Sequence, residues 1–73
     1  MIEVRFFATL RDGRGKVTQL DAAQAAVAGD ILRLCGIKPE EVAILLINGF
    51  HSKPEDPVKD GDQLSLFPPV GGG

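Results

Sequence analysis

The chain has few of the residues that disulfides, metal sites and nucleophilic catalysis require. Its 73 residues include one cysteine, Cys35, and one histidine, His51. A single cysteine cannot form an internal disulfide, so the fold depends on its hydrophobic core. One histidine and one cysteine without clustered carboxylates do not supply a ligand set for a metal ion. No acid–histidine–nucleophile pattern surrounds His51, so we expect neither a resident metal nor a catalytic triad.

The chain also lacks a charge excess of either sign and a long apolar segment. Eight lysine and arginine residues against ten acidic residues give a net charge of −2. Nucleic-acid-binding domains normally carry a basic stripe, so nucleic acid is not an expected partner. No apolar stretch reaches the length that spans a bilayer, and no targeting leader is recognisable. We therefore expect a cytoplasmic protein without a membrane partner.

Hydrophobic periodicity predicts the element order β-β-α-β-β-β. Strict alternation at the start, with Ile2, Val4 and Phe6 on one face, indicates a half-buried strand. The Asn48-Gly49 dipeptide predicts a tight hairpin turn, because both residues tolerate positive φ. The predicted strands cover residues 2–8, 17–20, 42–47, 50–52 and 63–67. The near-continuous apolar run at 42–47 is typical of a strand that neighbours cover well.

One helix is predicted near residues 26–35. Its apolar stripe, at spacings of three and four residues, is formed by Val27, Ile31, Leu34 and Cys35. Gly36 stands where a helix C-cap is expected. On that stripe Cys35 is expected to be buried and inert rather than reactive. One helix packed on one face of a mixed sheet is the economical arrangement at this size, and it predicts a ubiquitin-like β-grasp of the α+β class, with four to five strands.

The chain ends in six residues, 68–73, that contribute almost nothing to folding. Three glycines close this segment, and glycine has no side chain to bury and loses the most conformational entropy when ordered. Extended, the segment could reach roughly 20 Å, far enough to enter another protein's active site. One interpretation makes the Gly73 carboxylate a reactive group, and the other treats the segment as a frayed end. We thus predict a β-grasp domain at 1–67 and a flexible tail at 68–73.

Two phenylalanines fall on the predicted sheet face that points away from the helix. Phe7 breaks the alternation of the first strand, and Phe67 has the same orientation in the last. In a β-grasp these strands are central neighbours, so the two rings predict one exposed docking patch beside the tail. A covering loop or a register shifted by one residue are the alternatives. Arg5 and Arg11 could pair with acidic groups on a partner or be simply solvated.

Several segments together resemble the MoaD/ThiS sulfur carriers. The most specific is Phe-Pro-Pro-Val at 67–70 followed by terminal glycines, and the Asn48-Gly49 turn supports it. The opening Val-Arg-Phe-Phe-Ala-Thr-Leu-Arg at 4–11 and Val-Lys-Asp-Gly-Asp at 58–62 extend the resemblance over nearly the whole chain. The resemblance implies a sulfur carrier that is not an enzyme on its own and binds no cofactor.

In such carriers, the resemblance implies, an E1-like adenylating enzyme uses ATP to convert the carboxylate of Gly73 to an acyl-adenylate. Sulfur then converts the adenylate to a thiocarboxylate. The tail would enter the large catalytic subunit of molybdopterin synthase and donate sulfur to a pyranopterin precursor. Apart from the resemblance, we predict from their own positions that Phe7, Phe67 and Arg11 dock the partner. The residues of the inserted tail would be Pro68, Pro69, Val70, Gly71 and Gly72.

Features of the sequence point to two different branches of this family. The Leu-Phe-Pro-Pro-Val segment at 66–70 and the Phe6-Phe7 pair resemble the molybdopterin branch, which we favour. Gly71 is more typical of the thiamin branch, whose partner would be a thiazole synthase. A ubiquitin-like modifier that joins Gly73 to lysines of target proteins, and a plain interaction module, are the remaining hypotheses.

Overall fold

The computed structural model describes residues 1–69, and their strands form one mixed five-stranded sheet. The strands are β1 (Ile2–Phe6), β2 (Val17–Leu20), β3 (Ile44–Ile47), β4 (Phe50–His51) and β5 (Gln63–Phe67), and the helix α1 is Ala28–Leu34. Their order in the sheet is β2-β1-β5-β3-β4. The pair β1–β5 is parallel and the other pairs are antiparallel. This is the predicted β-grasp, with β1 and β5 in the centre.

The core lies between α1 and the inner face of the sheet. The alternation predicted for the first strand is confirmed, because Ile2, Val4 and Phe6 are buried. Leu64 and Leu66 of β5 lie beside them, also fully buried. The remaining buried apolar residues are Leu10, Ala28, Ile31, Leu32, Ile37, Leu45 and Val58.

The buried stripe of α1 differs from the predicted one. The prediction placed Leu34 in the core, but Leu34 is 39% exposed and Leu32 is buried in its place. Val27 has extended backbone angles, φ −131° and ψ 165°, so it precedes the helix and does not set its face. The buried positions are therefore spaced by three and four residues from Ala28 instead of from Val27. The buried face of the helix is shifted by one residue relative to the predicted face.

The side chain of Arg14, from outside the helix, binds the C-terminal end of α1. Arg14 donates from Nε to the carbonyl of Cys35 (3.1 Å) and from Nη2 to that of Gly36 (3.2 Å). Its Nη1 donates to the carbonyl of Leu10 (3.2 Å). Gly36 has a φ of +72° and ends the helix as predicted. One guanidinium thus satisfies carbonyls that the end of a helix leaves without partners.

The Asn48-Gly49 turn has the predicted positive φ angles, +53° and +85°. The Asn48 side chain also links this turn to the start of β5. Its Nδ2 donates to the Asp62 carboxylate (3.0 Å), and its Oδ1 accepts from the Gln63 N–H (3.0 Å). Asp62, 5% exposed, also accepts from the Lys59 N–H (2.9 Å). The turn residue thus anchors β5, the strand that leads to the tail.

Three of the predicted strands are too long. The strand predicted at 50–52 ends at His51. β3 starts at Ile44 instead of residue 42, and Ile44 is 39% exposed. One helix covers only the inner face of the sheet, so an apolar run does not imply cover on both faces. β1 ends at Phe6, because Ala8–Arg11 form a 3₁₀ turn that the sequence pattern did not predict. Ala8 at the start of that turn has a φ of +53°.

Candidate docking face and tail root

Phe7 and Phe67 lie side by side where β1 and β5 end. Phe6 is in register with Leu66, and the Phe7 N–H donates to the Leu66 carbonyl (3.1 Å). The two rings stack with centroids 4.3 Å apart and planes 10° from parallel. Both side chains are half-buried on the outer face. The structure therefore brings the two aromatic residues together on the outer face of neighbouring strands, as predicted.

Arg11 covers the end of this stack. Its guanidinium carbon lies 5.5 Å from the centroid of the Phe7 ring, and its Nε donates to the Phe6 carbonyl (2.9 Å). Within residues 1–69 its terminal nitrogens make no further hydrogen bond. A cation over an aromatic ring contributes about 0.5–1 kcal/mol at an exposed site. The charge is thus held in one place and presented to solvent.

Ile44 extends the apolar surface on the other side of Phe67. The two residues are in register in the antiparallel pair of β3 and β5. The neighbouring Ala43 N–H donates to the Phe67 carbonyl (2.8 Å), which holds the strand ends together. Sequence reasoning missed Ile44 because it expected this run to be covered. We call Arg11, Phe7, Phe67 and Ile44 the docking row.

The tail leaves the sheet directly after the docking row. Pro68 is half-buried and Pro69 is exposed. They border an open hollow whose other walls are Thr9, Leu10, Arg14 and Glu41. The predicted site residues Val70, Gly71, Gly72 and Gly73 lie outside the described residues. The structure thus shows the root of the proposed tail and the surface beside it.

Cys35 and His51, whose side chains are chemically the most reactive in the described part of the chain, lie outside the docking row. Cys35 is half-buried, and burial raises the pKa of its thiol, an effect that nearby Arg14 opposes. A raised pKa keeps a thiol protonated and unreactive. His51 is exposed in β4. In the described part of the chain no group of acidic, histidine and cysteine side chains could hold a metal ion. No helix between residues 1 and 69 is both long and apolar enough to cross a membrane.

Comparisons with known proteins identify the family of the chain. The model of the ThiS family matches residues 4–73. The chain belongs to the ThiS family. No curated protein matches it in a comparison of sequences.

Solved structures extend this family relationship. SAMP1, small archaeal modifier protein 1 of Haloferax volcanii, is 29% identical with a TM-score of 0.76, over 99% of this chain and 98% of that one. Subunit 1 in the complex of molybdopterin-converting factor subunits 1 and 2 from Helicobacter pylori is 27% identical, with a TM-score of 0.66, over 99% and 97%. A putative molybdopterin converting factor subunit 1 from Pyrococcus furiosus, at 20% identity and a TM-score of 0.75 over 94% and 97%, shares the fold.

The resemblance to the MoaD/ThiS carriers and the ubiquitin-like β-grasp are therefore confirmed. This ThiS-family protein is a small carrier, and its relatives of known structure include both a molybdopterin-converting factor subunit and a modifier protein. The docking row is a feature of its surface that follows from its own residues.

Proposed function

We propose that this ThiS-family protein carries sulfur as a thiocarboxylate on Gly73 and donates it in molybdopterin biosynthesis. The observation that supports the proposal is the position of the docking row at the end of β5. Phe67 stacks on Phe7, and the next residue, Pro68, starts the tail. A partner that binds the row therefore receives the tail at a fixed point.

The chemistry requires little from the carrier itself. A carboxylate is a poor acyl electrophile until adenylation provides a good leaving group. An E1-like partner would bind ATP and form the acyl-adenylate of Gly73, and a sulfur donor would then displace the nucleotide. The acid, base and oxyanion contacts would come from that partner. Gly72 and Gly73 have no Cβ to crowd a narrow channel, and Pro68-Pro69 limit the entropy lost on insertion.

The second partner is the large catalytic subunit of molybdopterin synthase. The similarity to subunit 1 of the Helicobacter pylori complex supports such a partner. An aromatic pair, an aliphatic residue and a positioned arginine have the composition of an interface centre, where aromatic residues and arginine are enriched. We propose that the E1-like enzyme and the large subunit bind the docking row in turn, because each needs the same tail.

Intact-mass spectrometry tests the chemistry. The full chain is incubated with ATP, an E1-like adenylating enzyme of this family and a sulfide donor. The expected product is heavier by the exchange of one oxygen for one sulfur, located at Gly73 by fragmentation. A variant without Gly72 and Gly73 is the matched control and should gain no mass. An unchanged mass for the full chain would contradict the proposal.

Two alternatives use the same activation. Gly71 favours the thiamin branch, in which a thiazole synthase would accept the sulfur. The similarity to SAMP1 favours a modifier, in which an amine of a target lysine attacks the activated Gly73. A ladder of conjugates in the same incubation, with cell extract added, would indicate a modifier. Co-purification with a thiazole synthase would indicate the thiamin branch.

A further inference from the structure

The sheet has an open edge at β2, which is the first strand in the order β2-β1-β5-β3-β4. The Phe6 N–H donates to the Lys16 carbonyl (2.9 Å), so these residues form a hydrogen-bonded pair. Because bonded and non-bonded pairs alternate along an antiparallel ladder, Thr18 also bonds to β1, whereas Val17 and Gln19 direct their N–H and C=O groups outward. Within residues 1–69 no strand pairs with this outer side.

A groove of about 180 Å³ lies between this edge and the C-terminal turn of α1. It is lined by Phe6, Arg14, Thr18, Leu20, Leu34 and Cys35. Leu34, the residue that turned out to be exposed, forms part of its helix-side wall. A strand added to Val17 and Gln19 would point every second side chain into the groove, since side chains alternate between faces. The groove and the edge thus form one site for an extended chain.

The two ends of β2 carry opposite charge. Lys16 is exposed just before the strand, and Arg14 lines the groove at the same end. Asp21 follows the last strand residue and accepts from the Ala23 N–H (2.9 Å). An extended segment that fits this edge therefore has acidic residues beside Lys16 and none beside Asp21.

We propose that β2 and this groove bind an extended segment of a partner protein by strand addition. The segment has valine or isoleucine at alternate positions and acidic residues at the end near Lys16. Its backbone pairs with Val17 and Gln19, and its aliphatic side chains contact Leu34. The groove is on the helix side of the sheet, whereas the docking row is on the outer side. This binding needs neither ATP nor the tail, so the proposal can be tested independently of sulfur transfer.

Amide hydrogen exchange on the full chain tests the site. The probe is a synthetic peptide with isoleucines at alternate positions, serines between them and aspartates at one end, prepared with the aspartates at either terminus. Binding should slow exchange at Val17 and Gln19 and leave Thr18 and Leu20 unchanged, because the latter already bond to β1. A peptide with lysines replacing the aspartates should bind about two- to fivefold more weakly.

Variants of the groove complete the experiment. Leu34→Asp places a charge in the groove and should weaken peptide binding by about tenfold or more. Phe50→Asp, in the opposite edge strand, is the control and should bind normally, since Phe50 is 75% exposed. Val17→Pro removes one outward N–H without removing a bond to β1, and should weaken binding by about two- to tenfold. Amide spectra check that each variant is folded.

Two results would overturn the assignment. One is a bound peptide that leaves exchange at Val17 and Gln19 unchanged, or that responds equally to Leu34→Asp and Phe50→Asp. The other is protection of the same two amides against exchange without any peptide, with a protection that increases as the protein concentration increases. That result would assign the edge to a second copy of this chain, paired through β2.

Discussion

Phe67 stacks on Phe7 at a centroid distance of 4.3 Å, one residue before the chain leaves the sheet. The contact joins the two central parallel strands at their ends. It also places two aromatic rings of the outer face directly beside Pro68. One pair of side chains thus joins the outer face of the sheet to the point where the chain leaves it.

Phe67→Ala should weaken binding to the E1-like enzyme and to the large subunit by about 2 kcal/mol or more, as expected for a central aromatic residue. Because the ring is half-buried, unfolding free energy should fall by only about 1–2 kcal/mol. Calorimetric titration and denaturant unfolding measure the two effects. Phe50→Ala, in the edge strand β4 and outside the docking row, is the control. If Phe67→Ala bound both partners as tightly as Phe50→Ala does, the docking row would not be their binding surface.

Asp62→Ala should destabilise the domain by about 1–3 kcal/mol, because it leaves the Asn48 Nδ2 and the Lys59 N–H without their acceptor. A double-mutant cycle with Asn48→Gly, which keeps the positive φ, isolates the side-chain link between the turn and β5. Denaturant unfolding of the four proteins gives the coupling. Strictly additive effects would mean that the two side chains do not act together.

Stability below neutral pH should depend on Asp30. The Ala26 N–H donates to its carboxylate (2.9 Å), as do the Arg33 guanidinium (3.0 Å) and the Val27 N–H (3.2 Å). These bonds lower the pKa of Asp30 from its ordinary value of 3.8. The folded state therefore binds this proton less readily than the unfolded state, so the stabilisation is complete above the unfolded pKa and is lost as pH falls through the folded pKa.

Asp30→Asn should remove that part of the acid dependence. Unfolding followed over a pH series should give a shallower fall in stability for the variant than for the parent chain. Asp21→Asn, which alters an exposed carboxylate outside the helix, is the comparison. A parallel acid dependence in the parent and in Asp30→Asn would show that the helix-start carboxylate does not contribute.

Ala8→Val should destabilise the domain by about 1–2 kcal/mol, because Ala8 has a φ of +53° that a β-branched residue tolerates poorly. Ala8→Gly should stay close to the parent chain, since relief of strain offsets the added freedom of the unfolded state. Thermal unfolding distinguishes the variants. A neutral Ala8→Val would mean that the turn after Phe7 adapts without cost.

Much of this fold could be predicted from the sequence, where the local signal and the tertiary structure agree. Strict alternation predicts which face of β1 is buried. The Asn48-Gly49 pair predicts a tight turn, because both residues tolerate positive φ. The outward orientation of Phe7 and Phe67 followed from the same alternation. These are period and turn effects, which depend on few distant contacts.

Other features depend on tertiary context that the pattern does not contain. The apolar pattern places Val27 in the helix, although its backbone is extended. Because the predicted stripe starts at Val27, it includes Leu34, which is exposed. Ile44 looks buried in an apolar run, but only one face of the sheet is covered. The role of Arg14 requires three carbonyls from two separate segments to converge, which no local spacing shows.

Sulfur transfer from a purified thiocarboxylate tests the central claim most directly. The chain carrying sulfur on Gly73 is mixed with the large subunit of molybdopterin synthase and the cyclic pyranopterin precursor. The mass of the carrier is followed by mass spectrometry as the reaction proceeds. The account predicts that the carrier returns to its carboxylate mass while sulfur appears in the pterin, and that Phe67→Ala slows this step more than Phe50→Ala. A carrier that keeps its sulfur, that releases it only to a thiazole synthase, or whose Gly73 becomes joined to a target lysine by an isopeptide bond instead, would contradict it.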